Sequence, residues 1–220
     1  MPYIILDSQA KKEGLKRVAR SLYYCPPEKL KEYPDRLCFQ RRKIRKYRLQ
    51  QRKKRIGYIL LWYHIKKGDQ RNRKVINRMI ARSLGVPLAP SLYAFPYIHY
   101  SVEMSFVTPQ KIFSRAQKLG INVSKMAVLD PLGRTTDRVK EKAEHYIRSK
   151  YEQLIRRVLK APYDRKTRSD IRQEYKKLKV KGKTLSAILG IDVDKLERKT
   201  YNIIWKWSKR GQTQEVVRYS

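Results

Sequence analysis

Apolar and polar positions recur with two different periods along this chain, and each period predicts a different kind of element. A strand is predicted at residues 97–106, because the nine residues 98–106 alternate strictly between apolar and polar side chains, which is typical of a half-buried strand. Short strands are also predicted at residues 3–6 and 214–220. Helical spacing predicts helices over residues 9–24, 36–67, 71–84, 108–119, 136–160, 168–179, 183–189 and 194–208. The pattern therefore predicts a mainly α fold with a small β element.

Proline and capping residues mark several ends of these elements. Pro26 and Pro27 end the first predicted helix because proline lacks an amide donor and clashes with the preceding turn. Thr108 and Pro109 supply an N-cap and a first-turn proline for the helix that follows them. The predicted helix over residues 136–160 carries an apolar stripe on one face, and we expect this stripe to be buried. The stripe comprises Ala143, Ile147, Tyr151, Leu154 and Val158.

Charge changes the picture more than any other property. The 220 residues include 54 Lys and Arg against 19 Asp and Glu, a formal net charge of +35. A net charge of about 2–8 is enough for the solubility of a small domain. So large an excess repels itself in the compact state, and a polyanion that gives up its own counterions on binding relieves that repulsion. Nucleic acid is the partner that this balance favours, ahead of an anionic membrane surface or an acidic protein.

The basic residues are unevenly distributed, which suggests two parts of the chain. Residues 36–78 hold 17 basic residues and one acid, residues 79–130 hold five and two, and residues 131–220 hold 25 and 11. We therefore predict an N-terminal segment with a long basic helical arm over residues 1–78. A mainly helical domain with one or two helix-turn-helix-like units is predicted over residues 79–220.

The densest basic run lies at residues 41–55, where ten of fifteen side chains are Lys or Arg and none is acidic. Each phosphate that such a side chain neutralises releases counterions, so this run predicts strong, salt-dependent affinity. The predicted phosphate contacts are Arg41, Arg42, Lys43, Arg45, Lys46, Arg48, Arg52, Lys53, Lys54 and Arg55.

Residues 112–129 carry a small residue, Ala116, where two helices would cross, and Gly120 four positions later where a turn would form. Apolar residues surround the turn. This segment resembles the helix-turn-helix of DNA-binding domains, which implies a second helix that enters the major groove. On that resemblance Asn122, Ser124 and Lys125 would face the bases. A helical hairpin packed in a core is the alternative.

Residues 183–207 form a second candidate of the same kind around Gly190. Its second helix would expose Arg198, Lys199 and Asn202, of which Arg can recognise guanine and Asn adenine in the major groove. Acidic residues near the start of that helix would repel phosphate. Trp205 and Trp207 lie about 200° apart on it, so both cannot point inward.

The sequence therefore predicts a non-enzymatic nucleic-acid-binding protein, with duplex DNA favoured over RNA and limited base readout. An RNA-binding structural protein of a bacterial or organellar ribosome is the main alternative. A DNA nuclease or recombinase is a lesser one, since His145 and Arg148 match the short H-x-x-R element of tyrosine recombinases and acids cluster at residues 130–144. No cofactor or metal site is predicted, and the partner is nucleic acid, with a homo-oligomer or larger nucleoprotein assembly compatible.

Cysteine content and hydropathy bear on the compartment. Cys25 and Cys38 are the two cysteines, too few for a disulfide framework and not spaced as a C-x-x-C pair, which favours a reducing intracellular compartment. No run of 18 apolar residues is present, so no membrane span is expected.

Overall fold

The computed structural model of the protein describes residues 2–6, 14–41, 56–98 and 105–218, with the side chains of these residues except at positions 127 and 210–218. The chain divides into two compact units, residues 1–142 and 143–220. The boundary that we predicted after residue 78 lies inside a helix of the first unit.

The first unit is built on an eight-stranded sheet within the described ranges, and every neighbouring pair of strands that exchanges backbone hydrogen bonds is antiparallel. The order across the sheet is β2-β3-β1-β4-β8-β5-β7-β6. The strands are β1 (Pro2–Ile5), β2 (Lys16–Ala19), β3 (Leu22–Tyr24), β4 (Leu37–Arg41), β5 (Tyr58–His64), β6 (Val86–Ala89), β7 (Leu92–Pro96) and β8 (Asn122–Leu132).

Within the described ranges β2 and β6 are the outermost strands, and their sequences suit an edge. In β2 Lys16 and Arg17 are exposed, and charged side chains on an edge strand discourage pairing with another chain. In β6 Pro87 has no N–H group to donate, and proline within a sheet is confined to edges and bulges. The interior strand β5 is instead an apolar run, with Tyr58, Leu60 and Leu61 almost fully buried.

Two helices cover part of one sheet face. Helix α1 (Gln70–Ala81) and helix α2 (Pro109–Lys118) pack on the sheet through one apolar cluster. Ile76 and Ile80 enter it from α1, Ile112 and Ala116 from α2, and Phe95 from β7. The first half of the sheet has its own cluster, in which Cys25 and Cys38 are buried as free thiols beside a 3₁₀ helix over Pro27–Glu32.

Helix α3 (Thr135–Lys160) contributes residues to both units. The second unit contains its C-terminal part with α4 (Arg165–Leu189) and α5 (Asp194–Arg218). The stripe predicted on α3 is confirmed as core, since all five of its side chains are at most 1 % exposed. Gly190 ends α4 in the left-handed conformation with φ of 69°, as glycine commonly does at this position.

The predicted fold class is wrong. The protein is a mixed fold with a large antiparallel sheet, not a mainly α fold with a small β element. Within residues 9–24 the described part forms β2 and β3, and no continuous helix covers residues 36–67, which instead contain β4 and β5. The long basic helical arm is therefore also wrong. A continuous apolar run such as residues 58–63 fits a buried strand as well as a buried helix, and the sheet decided between them.

Several smaller predictions can also be compared with the structure. The strand at residues 3–6 and the helices near residues 71–84, 108–119 and 136–160 are confirmed to within two or three residues. The two helices predicted within residues 168–189 are one helix, and the tail over residues 214–218 is helical rather than extended. Of the strand predicted at residues 97–106, the described residues lie outside strands, and residues 99–104 lie outside the described ranges.

Candidate nucleic-acid interface

The outer surface of α1 and α2 is the most uniformly basic helical surface in the described part of the first unit. Helix α1 begins at Asp69, whose carboxylate accepts a hydrogen bond from the Asn72 amide at 3.1 Å. With Ile76 and Ile80 turned to the sheet, the helical period places Arg71, Lys74 and Arg78 on the opposite side. The sequence thus forms one helix with an apolar face towards the sheet and a cationic face towards solvent.

Helix α2 repeats this arrangement. The Thr108 hydroxyl accepts a hydrogen bond from the Lys111 amide at 3.2 Å and caps the helix, as predicted. Lys111, Arg115 and Lys118 follow at i, i+4 and i+7, so they lie on one exposed side of the helix.

We refer to the exposed basic side chains of these two helices and of the α1 C-cap as the layer cations. They are Arg71, Arg73, Lys74, Arg78, Arg82, Lys111, Arg115 and Lys118. No acidic residue occurs in the described ranges between Asp69 and Asp130, and no layer cation forms an ion pair with any residue that the structure describes. The surface is therefore a source of positive potential that its own side chains do not neutralise.

The first helix-turn-helix candidate is wrong. Its first helix exists as α2, and Gly120 has the positive φ that the turn required, at 67°. The second half, however, is strand β8, which lies between β4 and β5 in the sheet. A strand locked between two neighbours cannot enter a groove as a recognition helix.

The three residues predicted to face bases consequently lie on a sheet. Asn122 and Ser124 are exposed and pair in register with His64 and Trp62 of β5. The Lys125 side chain lies against α2, where its amine contacts the Gln110 side chain and lies 5.6 Å from the centre of the Phe113 ring. The structure does not bring these residues together as one base-reading surface.

The basic run at residues 41–55 falls almost entirely outside the described residues. Arg41 is exposed at the end of β4, opposite Leu129 of β8. The other nine predicted contacts of that run lie in the stretch between β4 and β5 that the structure does not describe.

In the second unit, α5 carries the second set of predicted residues. Arg198, Lys199 and Asn202 are all exposed on this helix. The acids predicted to oppose phosphate are Asp192, Asp194 and Glu197. Asp192 and Asp194 are exposed, whereas Glu197 is buried and its carboxylate lies 2.7 Å from the Lys179 amine. Glu197 therefore contributes little negative charge to the exposed face of α5.

Two exposed aromatic side chains accompany those residues on α5. Tyr201 is 52 % exposed and Trp205 is 48 % exposed. The Lys209 amine lies 4.2 Å from the centre of the Trp205 ring. Trp207 packs against Tyr163 with ring centres 5.4 Å apart, which confirms that the two tryptophans do not share an environment. In the sequence, the two-residue spacing of Trp205 and Trp207 on a helix already indicated that at least one of the two side chains does not point inward.

The residues considered for catalysis form no recognisable centre. His145 is exposed on α3, and Arg148 forms an ion pair with Glu144 at 3.1 Å. Among the residues whose placement is described, no group of three or more His, Cys, Asp or Glu side chains could hold a metal ion.

The chain matches no family model, no curated protein and no solved structure. Its site must therefore be interpreted from its own geometry. Among the helices in the described ranges, none has the length and apolar character needed to cross a membrane.

Proposed function

We propose that this protein binds nucleic acid, in the first place duplex DNA, mainly through its phosphates. The observation that carries the proposal is the set of eight layer cations on two adjacent helices, with no acidic side chain in the described residues between Asp69 and Asp130. Duplex DNA presents about one negative charge per 1.7 Å, so a surface of this kind meets several phosphates at once.

The shape of the layer supports contact with an extended polyanion. Arg71 and Arg78 lie seven residues apart on one helix, which at 1.5 Å per residue spans about 10 Å. Lys111 and Lys118 span the same length on α2. Both helices are fixed to the sheet by buried side chains, so little conformational entropy of the backbone remains to be lost on binding. The basic run at residues 41–55 is included among the proposed phosphate contacts because of its charge alone.

Phosphate contacts orient a protein on nucleic acid without reading its sequence, so this surface predicts binding with little base preference. The proposal does not include recognition of bases in the major groove by residues 112–129, because part of this segment is strand β8.

The test is binding of the full chain to a labelled duplex of about 20 base pairs between 50 and 200 mM salt. Replacing Arg71, Lys74 and Arg78 together by Gln removes three cations from the layer. If each contacts a phosphate, the slope of log K against log salt should become shallower by about 3.

The matched control replaces Arg172, Lys176 and Lys177 of α4 by Gln, which changes the net charge equally. These side chains are exposed, but Asp170 and Glu174 lie among them. A control that flattens the salt dependence as much as the α1 variant would mean that overall charge, not the layer, determines affinity.

A second candidate, binding to single-stranded RNA, rests on a different observation. One exposed face of α5 combines Tyr201 and Trp205 with Arg198. Aromatic rings stack on unpaired bases, and each stacked base contributes about 1–3 kcal/mol. Trp205→Ala should therefore weaken binding to a single strand about 5- to 150-fold and leave duplex binding almost unchanged, whereas Trp207→Phe should alter neither. Equal losses on both substrates would contradict this candidate.

A further inference from the structure

A cavity in the first unit lies apart from the layer cations. Its volume is about 720 Å³, within the range of about 300–1,000 Å³ that is usual for small-ligand sites. It is bounded by the end of β1, the turn after β2, the segment before β4, the end of β6 and the beginning of α3. Five separate stretches of chain thus converge on one space.

One wall of this cavity is apolar. Leu6, Leu37 and Leu88 line it and are each at most 5 % exposed, so their position is determined by the core. An apolar wall backed by a packed core suits a flat ring system, which displaces water from it with a favourable free energy.

The remaining lining is strongly charged. It includes five cations, Arg20, Arg36, Arg134, Arg138 and Lys142, and three carboxylates, Asp35, Asp137 and Glu141. The formal excess is two positive charges. A phosphate monoester carries about −1.5 to −2 at pH 7 and accepts paired hydrogen bonds from guanidinium groups. The excess therefore matches the charge of a terminal phosphate.

Two contacts hold the charged wall in place. The Cys38 amide donates a hydrogen bond to the Thr135 hydroxyl oxygen at 2.9 Å, which attaches the start of α3 to β4. The Arg138 guanidinium donates to the Asp35 carboxylate at 2.8 Å across the same junction. Because Thr135 and Val139 are buried, the backbone of the first turns of α3 is held against the first unit before any ligand arrives.

The carboxylates complete the chemistry. Asp137 and Glu141 stand one turn apart on α3 and can accept hydrogen bonds from hydroxyl or amino groups. A ligand with an apolar ring, hydroxyl or amino donors and a terminal phosphate satisfies the apolar wall, the carboxylates and the cations together. We propose that this cavity binds a nucleotide with a terminal phosphate monoester, either a free mononucleotide or the 5′-phosphorylated end of a strand.

The experiment measures binding of adenosine monophosphate and adenosine to the full chain by calorimetry. Binding of the nucleotide at least ten times tighter than the nucleoside is expected. The double variant Arg20→Gln, Arg134→Gln should remove most of that difference in affinity. Ala89→Phe should lower the affinity for the nucleotide, because the larger side chain fills part of the cavity without altering its charge. The control Arg172→Gln, Lys177→Gln removes the same charge from exposed positions of α4, which belong neither to the layer cations nor to the cavity lining, and should leave nucleotide affinity unchanged.

A second arm distinguishes the two sources of the phosphate. Single-stranded decamers with a 5′-phosphate or a 5′-hydroxyl are compared on the parent and on the Arg20→Gln, Arg134→Gln variant. If the parent prefers the phosphorylated decamer and the variant does not, the site binds strand ends. If the parent shows no such preference but binds the mononucleotide tightly, the site binds free nucleotides.

Absence of nucleotide binding in the parent, or equal loss in the α4 control, would overturn the proposal. Duplex affinity, measured separately, is expected to survive in the Arg20→Gln, Arg134→Gln variant. Failure of the cavity proposal is therefore distinguishable from failure of the proposed duplex binding.

Discussion

The amine of Lys181 lies 3.3 Å from the hydroxyl of Tyr146, and only 4 % of the Lys181 surface is exposed. The same amine lies 4.8 Å from the centre of the Tyr146 ring. Burial, with a smaller contribution from the neighbouring Lys150, lowers the pKa of Lys181 from its ordinary value of 10.5 to about 7. In a chain with so many exposed cations, this lysine is held where its charge is disfavoured.

This burial predicts a pH-dependent stability. Between about pH 7 and 10.5 the unfolded chain binds more protons at Lys181 than the folded chain does, so stability rises with pH in that window. One proton corresponds to at most about 1.4 kcal/mol per pH unit. Lys181→Met should be more stable than the parent at pH 7, and the difference should shrink towards pH 9. Urea unfolding of both proteins at several pH values measures it.

Lys183→Met is the control for that measurement, since Lys183 is exposed on the same helix. The control should follow the parent at every pH. A Lys181→Met variant that does the same would show that the amine does not carry the pH dependence.

A second prediction concerns the ion pair between Lys179 and Glu197. The Glu197 carboxylate is buried, with one oxygen 2.7 Å from the Lys179 amine. Lys179→Met would leave that carboxylate without its cation, and we expect a loss of about 1–3 kcal/mol in the free energy of unfolding. Adding Glu197→Gln should recover part of the loss because the unpaired charge is then removed. Lys177→Met, on the exposed side of α4, should change little; an equal loss there would refute the argument.

A third prediction concerns Gly120, between α2 and β8. Its φ of 67° disfavours a β-branched side chain, and no atom lies within 4 Å of the position that a Cβ would occupy. Gly120→Val should therefore destabilise the protein by more than about 1 kcal/mol through backbone strain alone. Gly120→Asn should cost much less, because Asn tolerates the left-handed region. Chemical unfolding curves that coincide for the two variants would exclude strain as the cause.

A fourth prediction concerns Ala116, where α2 packs on the sheet. Only 1 % of its surface is exposed, and it lies in the same cluster as Ile76 and Phe95. Ala116→Leu should cost roughly 1–3 kcal/mol by overpacking. Gln117→Leu adds a similar side chain on the exposed neighbour and should melt like the parent. If both variants melt alike, the contact between α2 and the sheet has room for a larger side chain.

The helices illustrate what local sequence determines here. The caps at Asp69 and Thr108, the first-turn Pro109 and the buried stripe of α3 all act within a few residues of the chain. These capping residues and apolar stripes occupy the same roles in the structure, so the ends of α1, α2 and α3 were predicted close to where they are observed. The layer cations follow from the same period, since placing Ile76 and Ile80 inside puts Lys74 and Arg78 outside.

The candidate sites could be predicted only in part from local sequence. Exposure of Arg198, Lys199 and Asn202 was predicted from the apolar period of α5. The cavity was not predicted, because its lining comes from five stretches between residues 5 and 142 and no spacing in the sequence brings them together. For residues 41–55, salt-dependent binding to phosphates stays a prediction that rests on their charge alone.

The sequence by itself determined the strong positive charge, the capped helices and their apolar faces, because these depend on composition and on contacts within a few residues. The tertiary structure alone decided the sheet. Strand β8 pairs Leu132 with Cys38 of β4 and Asn122 with His64 of β5, both across long stretches of chain. Such strands acquire their hydrogen bonds and their burial only from neighbours distant in sequence, and that is why residues 122–132 form a strand where local pattern indicated a recognition helix.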